Sequence, residues 1–305
     1  MFIFYPEVQL TLKRSLKLML NQQKCAIGVR PQLHIFIYFC NGMTDRYALF
    51  FDIDGTLVSF NTHEIPASAV KALTEAKQNG SQIYIATGRP PLIITNLGQI
   101  EHLIDGFITI NGALCYIGRE QICSHAIPAR DVMTCVQDSK DKGYGLIVVG
   151  RSQVAVLDPT GSVDRIFRQF LNVKEFDKPS PLEEVLSQDV LQLTAFFDAA
   201  YEKEMLARMP HCVSGRWHPE FTDITAREAD KGKGIQAIAR HQGFDSGRTI
   251  AFGDGGNDLS MILQAGIGVA MGNATPELKQ QADYITTSVD DDGILNALRH
   301  FNVIG

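Results

Sequence analysis

The sequence predicts an α/β fold: a doubly wound, mostly parallel sheet interrupted by an inserted α+β domain. Three observations carry that expectation. Residues 47–53 form a nearly continuous apolar run ending in polar chemistry, the pattern of a strand buried on both faces. Strand and helix patterns then alternate as far as residue 110. The alternation gives way to a hairpin and a mixed block, and resumes from Gly232.

The elements follow in order. After the first strand, residues 66–80 place Val70 and Leu73 on one helical face, with Pro66 near the start and Gly80 as a stop. Residues 82–86 (QIYIA) are a second strand, ending at Thr87-Gly88-Arg89, and Pro90-Pro91 is able to open another helix. Residues 106–110 (GFITI) are a third strand, ending at Asn111-Gly112. Residues 113–117 and 121–124 flank Gly118-Arg119-Glu120, a hairpin signature. The block that follows reads as helix 128–142, strands 145–149 and 153–157, helix 162–171, a short helix after Pro181, strand 190–197, helix 202–209 and a last strand around Cys212. The winding then returns with helix 232–242, strand 249–252 ending in Gly253-Asp254, helix 257–265, strands 267–270 and 284–286, and helix 293–301. The expected organisation is an N-terminal extension (1–42), a first core segment (43–125), the inserted domain (126–214) and a second core segment (215–305).

With 305 residues, 45% hydrophobic and 20% charged, the chain has room for one large core or two modest domains, and disorder on the scale of the whole chain is excluded. Its 28 Lys+Arg and 34 Asp+Glu give a net charge of −6 with no long basic run. A nucleic-acid partner therefore has no electrostatic footprint, and a small-molecule role fits better. Cys25, Cys40, Cys115, Cys123, Cys135 and Cys212 form no CxxC and no zinc spacing. They read as free, mostly buried thiols of a reducing compartment, so the expected location is cytoplasmic. No apolar stretch approaches the roughly 18 residues of a membrane span, and no membrane partner is expected. Oligomeric state leaves no mark in the sequence. Residues 1–42 are mildly basic and precede Met43, where MTDRYALFFDIDGT reads as the start of a strand-first domain. That extension is expected to be dispensable; a targeting or membrane-surface arm is the competing reading.

In parallel α/β sheets ligands bind at the carboxyl ends of strands, and three expected strand ends carry Asp52 with Asp54, Thr87, and Asp254. Asp52 and Asp54 stand at i and i+2, so on an extended chain they share a face and repel unless a cation intervenes. Three carboxylates at neighbouring strand ends make a hard oxygen site suited to Mg²⁺, with waters and a phosphate oxygen completing the shell. Glycines flank Asp254 and let the backbone approach a ligand closely. Asp258 falls in the first turn of the next helix, where the helix dipole favours an anion. GDGGND (253–258) is not GxGxxG, because Asp258 stands where the last glycine should be. KGKG (231–234) lacks the spacing of a P-loop. Neither argues for a nucleotide.

DIDGT (52–56), ATGR (86–89), Lys231 ahead of a helix, and GDGGND (253–258) resemble the four ordered motifs of the haloacid dehalogenase superfamily of phosphatases. The block between the second and third motifs resembles the α/β cap of its Cof-like sugar-phosphatase branch (type IIB). The resemblance spans residues 43–305 and implies residue roles. Asp52 would be the nucleophile that forms an aspartyl-phosphate. Asp54 would protonate the leaving alcohol and then deprotonate the attacking water. Thr87, Gly88, Lys231 and Asn257 would bind the phosphoryl group, and Lys231 would balance its charge. Mg²⁺ would be held by the side chains of Asp52 and Asp254 and the backbone carbonyl of Asp54, with Asn257 and Asp258 orienting Lys231 and the metal shell. Arg89, Asn111 and Gly112 match substrate-contact positions. Lys233 also precedes the helix, but Lys231-Gly232-Lys233-Gly234-Ile235 matches the family's order of small and aliphatic residues, which selects Lys231.

Plainer roles stand beside these. Asp52 and Asp54 could belong to a solvated turn, Thr87 could cap a helix, and either lysine could be solvated. His63, His125, His211, His218 and His241 lack ligand spacing and read as surface or packing residues, and Trp217, at the expected return from cap to core, reads as packing. The expected activity is Mg²⁺-dependent hydrolysis of small phosphomonoesters, sugar phosphates foremost. A phosphotransferase or phosphomutase, in which a second sugar hydroxyl replaces water, is one alternative. A phosphometabolite-binding protein without turnover is the other.

Overall fold

Four consecutive apolar residues with no polar face need a layer on each side, and β1 (Ala48–Phe51) is buried at every position in the middle of an eight-stranded sheet. This is a computed structural model; it describes residues 46–166 and 178–305. The extension at 1–42 and the second half of the helix expected at 162–171 lie outside the described residues. On one side of β1 run β11 (Thr249–Gly253), β12 (Ile267–Ala270) and β13 (Tyr284–Ile285); on the other run β2 (Gln82–Ala86) and β3 (Gly106–Thr109). All of these are parallel. The hairpin β4 (Leu114–Ile117) and β5 (Glu120–Ser124) closes the far edge antiparallel.

Neighbouring residues of β1 pack on opposite faces of the sheet. Phe50 stacks on Tyr84 at 4.8 Å, and Phe51 stacks on Phe252 at 4.6 Å. Helices α1 (Ala67–Gln78) and α8 (Gly293–His300) pack together, as do α5 (Lys231–Gln242) and α6 (Leu259–Gln264). Phe51 is level with both Ile85 and Phe252. The chain therefore leaves β1, β2 and β11 at the same height, which brings Asp52, Thr87 and Asp254 to one edge of the sheet. The chain runs from β1 to β2 on one side and returns as β11 on the other, so the sheet's switch point lies at that edge, the place where open α/β sheets bind ligands.

The second sheet has five antiparallel strands in the order β7 (Val154–Leu157), β6 (Leu146–Gly150), β8 (Val190–Ala195), β10 (Phe221–Ala226), β9 (Cys212–His218). One face buries Leu146, Val148, Leu193 and Ala195 with Cys135 and Val136 of α2 (Ala129–Lys142) and Met205 of α4 (Ala199–Ala207); a shorter helix, α3 (Leu182–Leu186), adds Val185. The other face sends Ile147, Val149 and Phe221 into a cluster with Ile110, Ala113 and Leu114 of the first sheet's edge.

Three sequence expectations need correction. The inserted sheet does not end at 214: residue 215 falls in the middle of β9, and the chain leaves this sheet only at Ala226. Phe221–Ala226 escaped notice because Thr222, Asp223 and Thr225 read as loop, yet all six residues are buried, with the Asp223 carboxylate accepting the Thr194 hydroxyl at 2.6 Å. Trp217 thus belongs to β9 rather than to a return segment. Pro90-Pro91 opens only the single 3₁₀ turn Pro91–Ile93. An unexpected helix, α7 (Pro276–Gln281), starts at Thr275, whose side chain accepts the Leu278 amide, with proline in the first turn. Cys115, Cys123, Cys135 and Cys212 are free thiols, as expected. Among the described residues no helix is long and apolar enough to cross a membrane.

A buried carboxylate in the inserted domain yields a stability prediction. The Asp138 side chain is 5% exposed and accepts hydrogen bonds from the hydroxyls of Tyr144 (3.0 Å) and Tyr201 (2.9 Å) and from Arg208. Burial by itself would push its carboxyl up, but the bonds from Arg208, Tyr201 and Tyr144 outweigh burial and hold it below the ordinary value of 3.8. Asp138→Ala, which strands these donors, is expected to lower stability by about 3 kcal/mol at pH 7. A depressed carboxylate stabilises the fold at all pH values above its unfolded value, and the contribution disappears as pH falls through the folded one. Urea midpoints of the two proteins should therefore differ in full above pH 3.8, and the difference should narrow only below it.

Candidate active site

Asp52 follows β1 directly, and its amide still donates to the Phe252 carbonyl at 3.0 Å. The chain then folds back on itself: Leu57 and Val58 donate to the Ile53 carbonyl at 3.0 and 2.8 Å, and Gly55 donates to that of Val58 at 2.9 Å. Gly55 adopts φ +80°, and a Cβ there would lie 2.3 Å from Asp254 Oδ2. Only glycine lets this turn reach the acid. The Thr56 hydroxyl donates to Asp254 Oδ1 at 3.1 Å. Asn273 braces the same turn, donating to the Gly55 carbonyl at 2.8 Å and accepting from the Val289 amide at 3.0 Å.

Lys231 begins α5 and is 1% exposed. Its ammonium donates to Asp52 Oδ1 at 2.7 Å and to Asp258 Oδ1 at 2.6 Å. Burial by itself would lower its pKa; the charges of Asp258 and Asp52 outweigh that and hold it above the ordinary value. Lys233 is half exposed and pairs with Glu228 at 2.9 Å, so the choice of Lys231 over Lys233 agrees with the geometry. Asp258 has no oxygen to spare: Oδ1 takes Lys231, and Oδ2 accepts the amides of Asp254 and Gly255, each at 2.9 Å. That suits an orienting carboxylate.

Oxygens of Asp52, Asp254 and Asp258 lie within 4.8 Å of one another. Against three carboxylates stands one buried ammonium. Burial, then the charge of Asp258, pushes Asp52 well above the ordinary carboxylate value in spite of Lys231. Burial, again reinforced by Asp258, lifts Asp254 to about 7, with the Thr56 hydrogen bond opposing.

Thr87 is 1% exposed at the end of β2, and its Oγ1 accepts the Arg89 amide at 3.1 Å, a bond that does not use its hydroxyl proton. Arg89 grips Asp54 with two prongs, Nε to Oδ2 at 2.8 Å and Nη2 to Oδ1 at 2.6 Å. Past β3, Ile110, Asn111 and Gly112 all have positive φ (54°, 50° and 93°). For a β-branched residue such as Ile110 this is strained backbone of the kind found at functional sites. The bend presents Asn111, whose Oδ1 accepts from Asn257 Nδ2 at 3.2 Å and lies 3.2 Å from where a Cβ on Gly88 would be. Gly112 is buried, and a Cβ there would meet the Asp230 carbonyl oxygen at 2.3 Å. The lack of a side chain there lets the β3 end press against the start of α5.

The structure thus brings Asp52, Asp254, Asp258 and Lys231 into one cluster, sets Thr87 beside Arg89, turns Arg89 onto Asp54, and gathers Gly88, Asn111 and Asn257 at a second corner. Sequence reasoning missed Asn273 and gave Thr56 no role of its own. The available signal for Asn273 was a polar residue just beyond the end of a strand, the feature that identified the other sites. His211 pairs with Asp131 at 3.2 Å and His241 approaches Glu120 at 3.7 Å, away from this cluster in sequence and fold.

Residues 49–298 match the family model described as haloacid dehalogenase-like hydrolase. A Bacillus subtilis (strain 168) protein named "Putative phosphatase YkrA" is 32% identical over 263 residues, covering 85% of this chain and 99% of its own. The pyridoxal phosphate phosphatase YbhA of Escherichia coli (strain K12) is 28% identical over 267 residues, covering 83% and 97%. Among solved structures, the subclass IIB sugar phosphatase BT4131 matches with a TM-score of 0.78 and 47% identity, covering 85% of this chain and 100% of that one. The matched model spans nearly the whole two-sheet region, and the chain belongs to the haloacid dehalogenase-like hydrolases, as a phosphatase of that family.

Proposed function

We propose that this phosphatase hydrolyses small phosphorylated metabolites, sugar phosphates foremost, with Mg²⁺ and through a phosphoryl group carried on Asp52. The observation that carries the reading is the Lys231 bridge: one buried ammonium bonded to both Asp52 and Asp258, beside a third acid, Asp254. The 47% identity to a sugar phosphatase supports the substrate class.

The acids fit a divalent cation, since their oxygens are crowded, hard and under-compensated by Lys231. Asp52, the Asp54 carbonyl and Asp254 would hold it, and when bound it supplies positive charge against the phosphoryl oxygens. The remaining work falls to the chain. Asp52 Oδ2, free of Lys231, attacks phosphorus. Asp54, 36% exposed and thus open to the leaving group, passes it a proton and later takes one from water. Thr87 donates its hydroxyl proton to a phosphoryl oxygen, Lys231 balances charge at Asp52, and the Gly88 backbone and Asn257 line the opposite corner. Stabilisation of charge by prearranged donors is the main resource of phosphoryl transfer.

Two outcomes are expected. Asp52→Asn should lower phosphate release from a panel of sugar and other small phosphate esters by on the order of 10³-fold or more; activity surviving that substitution unchanged would remove Asp52 from its role. Mg²⁺ at about 100 times its dissociation constant should stabilise the protein by about 2.7 kcal/mol, read as a rise in the thermal midpoint, and Asp254→Asn should abolish most of the rise. Since Asp254 is lifted to about 7, a cation must displace its proton below that pH. The Mg²⁺-induced rise should therefore be larger at pH 8 than at pH 6.

A further inference from the structure

Arg89 was expected to touch substrate, yet the fold commits it elsewhere. Its backbone is held from two sides, the amide donating to Thr87 Oγ1 at 3.1 Å and the carbonyl accepting the Ile110 amide at 3.2 Å. Its guanidinium is held from two more: Nε and Nη2 on the two oxygens of Asp54, and Nη1 on the Ile93 carbonyl at 3.2 Å. Asp54, by contrast, has no other side-chain partner among the described residues, so its carboxylate takes its direction from Arg89. To bind a phosphoryl or sugar oxygen with the same fork, Arg89 would have to let Asp54 go.

The pairing suits one half of the reaction better than the other. A guanidinium has only donors, and a two-pronged bond needs an acceptor at each carboxylate oxygen, which is the ionised form. In the first half Asp54 must carry a proton, and that proton competes with the fork. In the second half Asp54 must be ionised and aimed. Water's oxygen bonds to phosphorus as the phosphorus–oxygen bond to Asp52 breaks, water's proton passes to Asp54, Asp52 is restored as a carboxylate, and inorganic phosphate leaves.

We propose that Arg89 is the positioning residue that aims Asp54 as the base for hydrolysis of the phosphorylated Asp52, and is not a substrate contact. The proposal rests on the roles given above to Asp52 and Asp54. p-Nitrophenyl phosphate isolates the step, because nitrophenolate departs without needing a proton. With Mg²⁺ present, Arg89→Ala should lower kcat and KM together by about tenfold or more while kcat/KM stays within about twofold. A burst of nitrophenolate near the enzyme concentration should precede the slow steady state, and acid quenching should trap phosphorylated protein. Arg89→Lys, which keeps the charge but not the fork, should fall between, and it serves if the alanine variant folds poorly. In an Asp54→Asn background, Arg89→Ala should add less than about a twofold further loss, as expected for two residues acting as one unit. A raised KM with unchanged kcat and no burst, or losses that multiply in the double variant, would overturn the proposal and return Arg89 to the substrate. Absence of turnover in the unaltered protein would instead overturn the reading of Asp52, and this proposal with it.

Discussion

The Lys231 ammonium, sealed between Asp52 and Asp258, is the interaction on which the rest of the site depends. A lysine at 1% exposure is tolerable only where carboxylates answer it at hydrogen-bond distance. That requirement fixes the positions of three elements. The first turn of α5 must reach the carboxyl end of β1, α6 must begin close enough for Asp258 to meet the same ammonium, and the end of β3 must make way. Gly112, pressed on the Asp230 carbonyl, provides that room. A packing detail far from Asp52 in sequence thus bears on whether Asp52 has its cation.

The same cluster is overcharged. Three carboxylates share one lysine, and both Asp52 and Asp254 are driven up by burial and by the charge of Asp258. In the role proposed for it Asp52 is needed ionised, so an arrangement that disfavours its ionisation looks self-defeating if the protein atoms are taken alone. A divalent cation would resolve the conflict, because it favours the charged form of every oxygen it touches. The acids are crowded to the degree that suits a cation among them, and Asp258, with both oxygens already taken, keeps that crowding from collapsing onto Lys231.

The parallel core was legible because its signals are local. Buried strands such as residues 48–51 are apolar on both faces, and chemistry begins where each one stops. Asp52, Thr87 and Asp254 were found by that rule. What escaped depends on partners distant in sequence. Phe221–Ala226 hides its polar residues by pairing across the inserted sheet, so its burial is invisible until Thr194 lies beside Asp223. Gly112 ends a strand, and its packing role shows only once Asp230 lies against it. Arg89 was placed at the correct edge, but its bidentate pair with Asp54 was not foreseen, since nothing in the spacing of 54 and 89 reveals it.

The two acids of the Asp-Ile-Asp segment show how neighbours in sequence acquire unequal chemistry. They are two residues apart, but the turn closed on the Ile53 carbonyl carries them into different surroundings. Asp52 is buried against a lysine that cannot leave, which fits a group that stays in place and forms a bond. Asp54 is a third exposed and held by an arginine that is itself 29% exposed, which fits a group that must exchange protons with leaving alcohol and water. Interchanging the cations would undo both roles. A buried lysine cannot give a carboxylate room to exchange protons, and a partly exposed guanidinium would not offset the burial of Asp52. The division of labour proposed for Asp52 and Asp54 is therefore set less by the aspartates than by the depth of the cation each one meets.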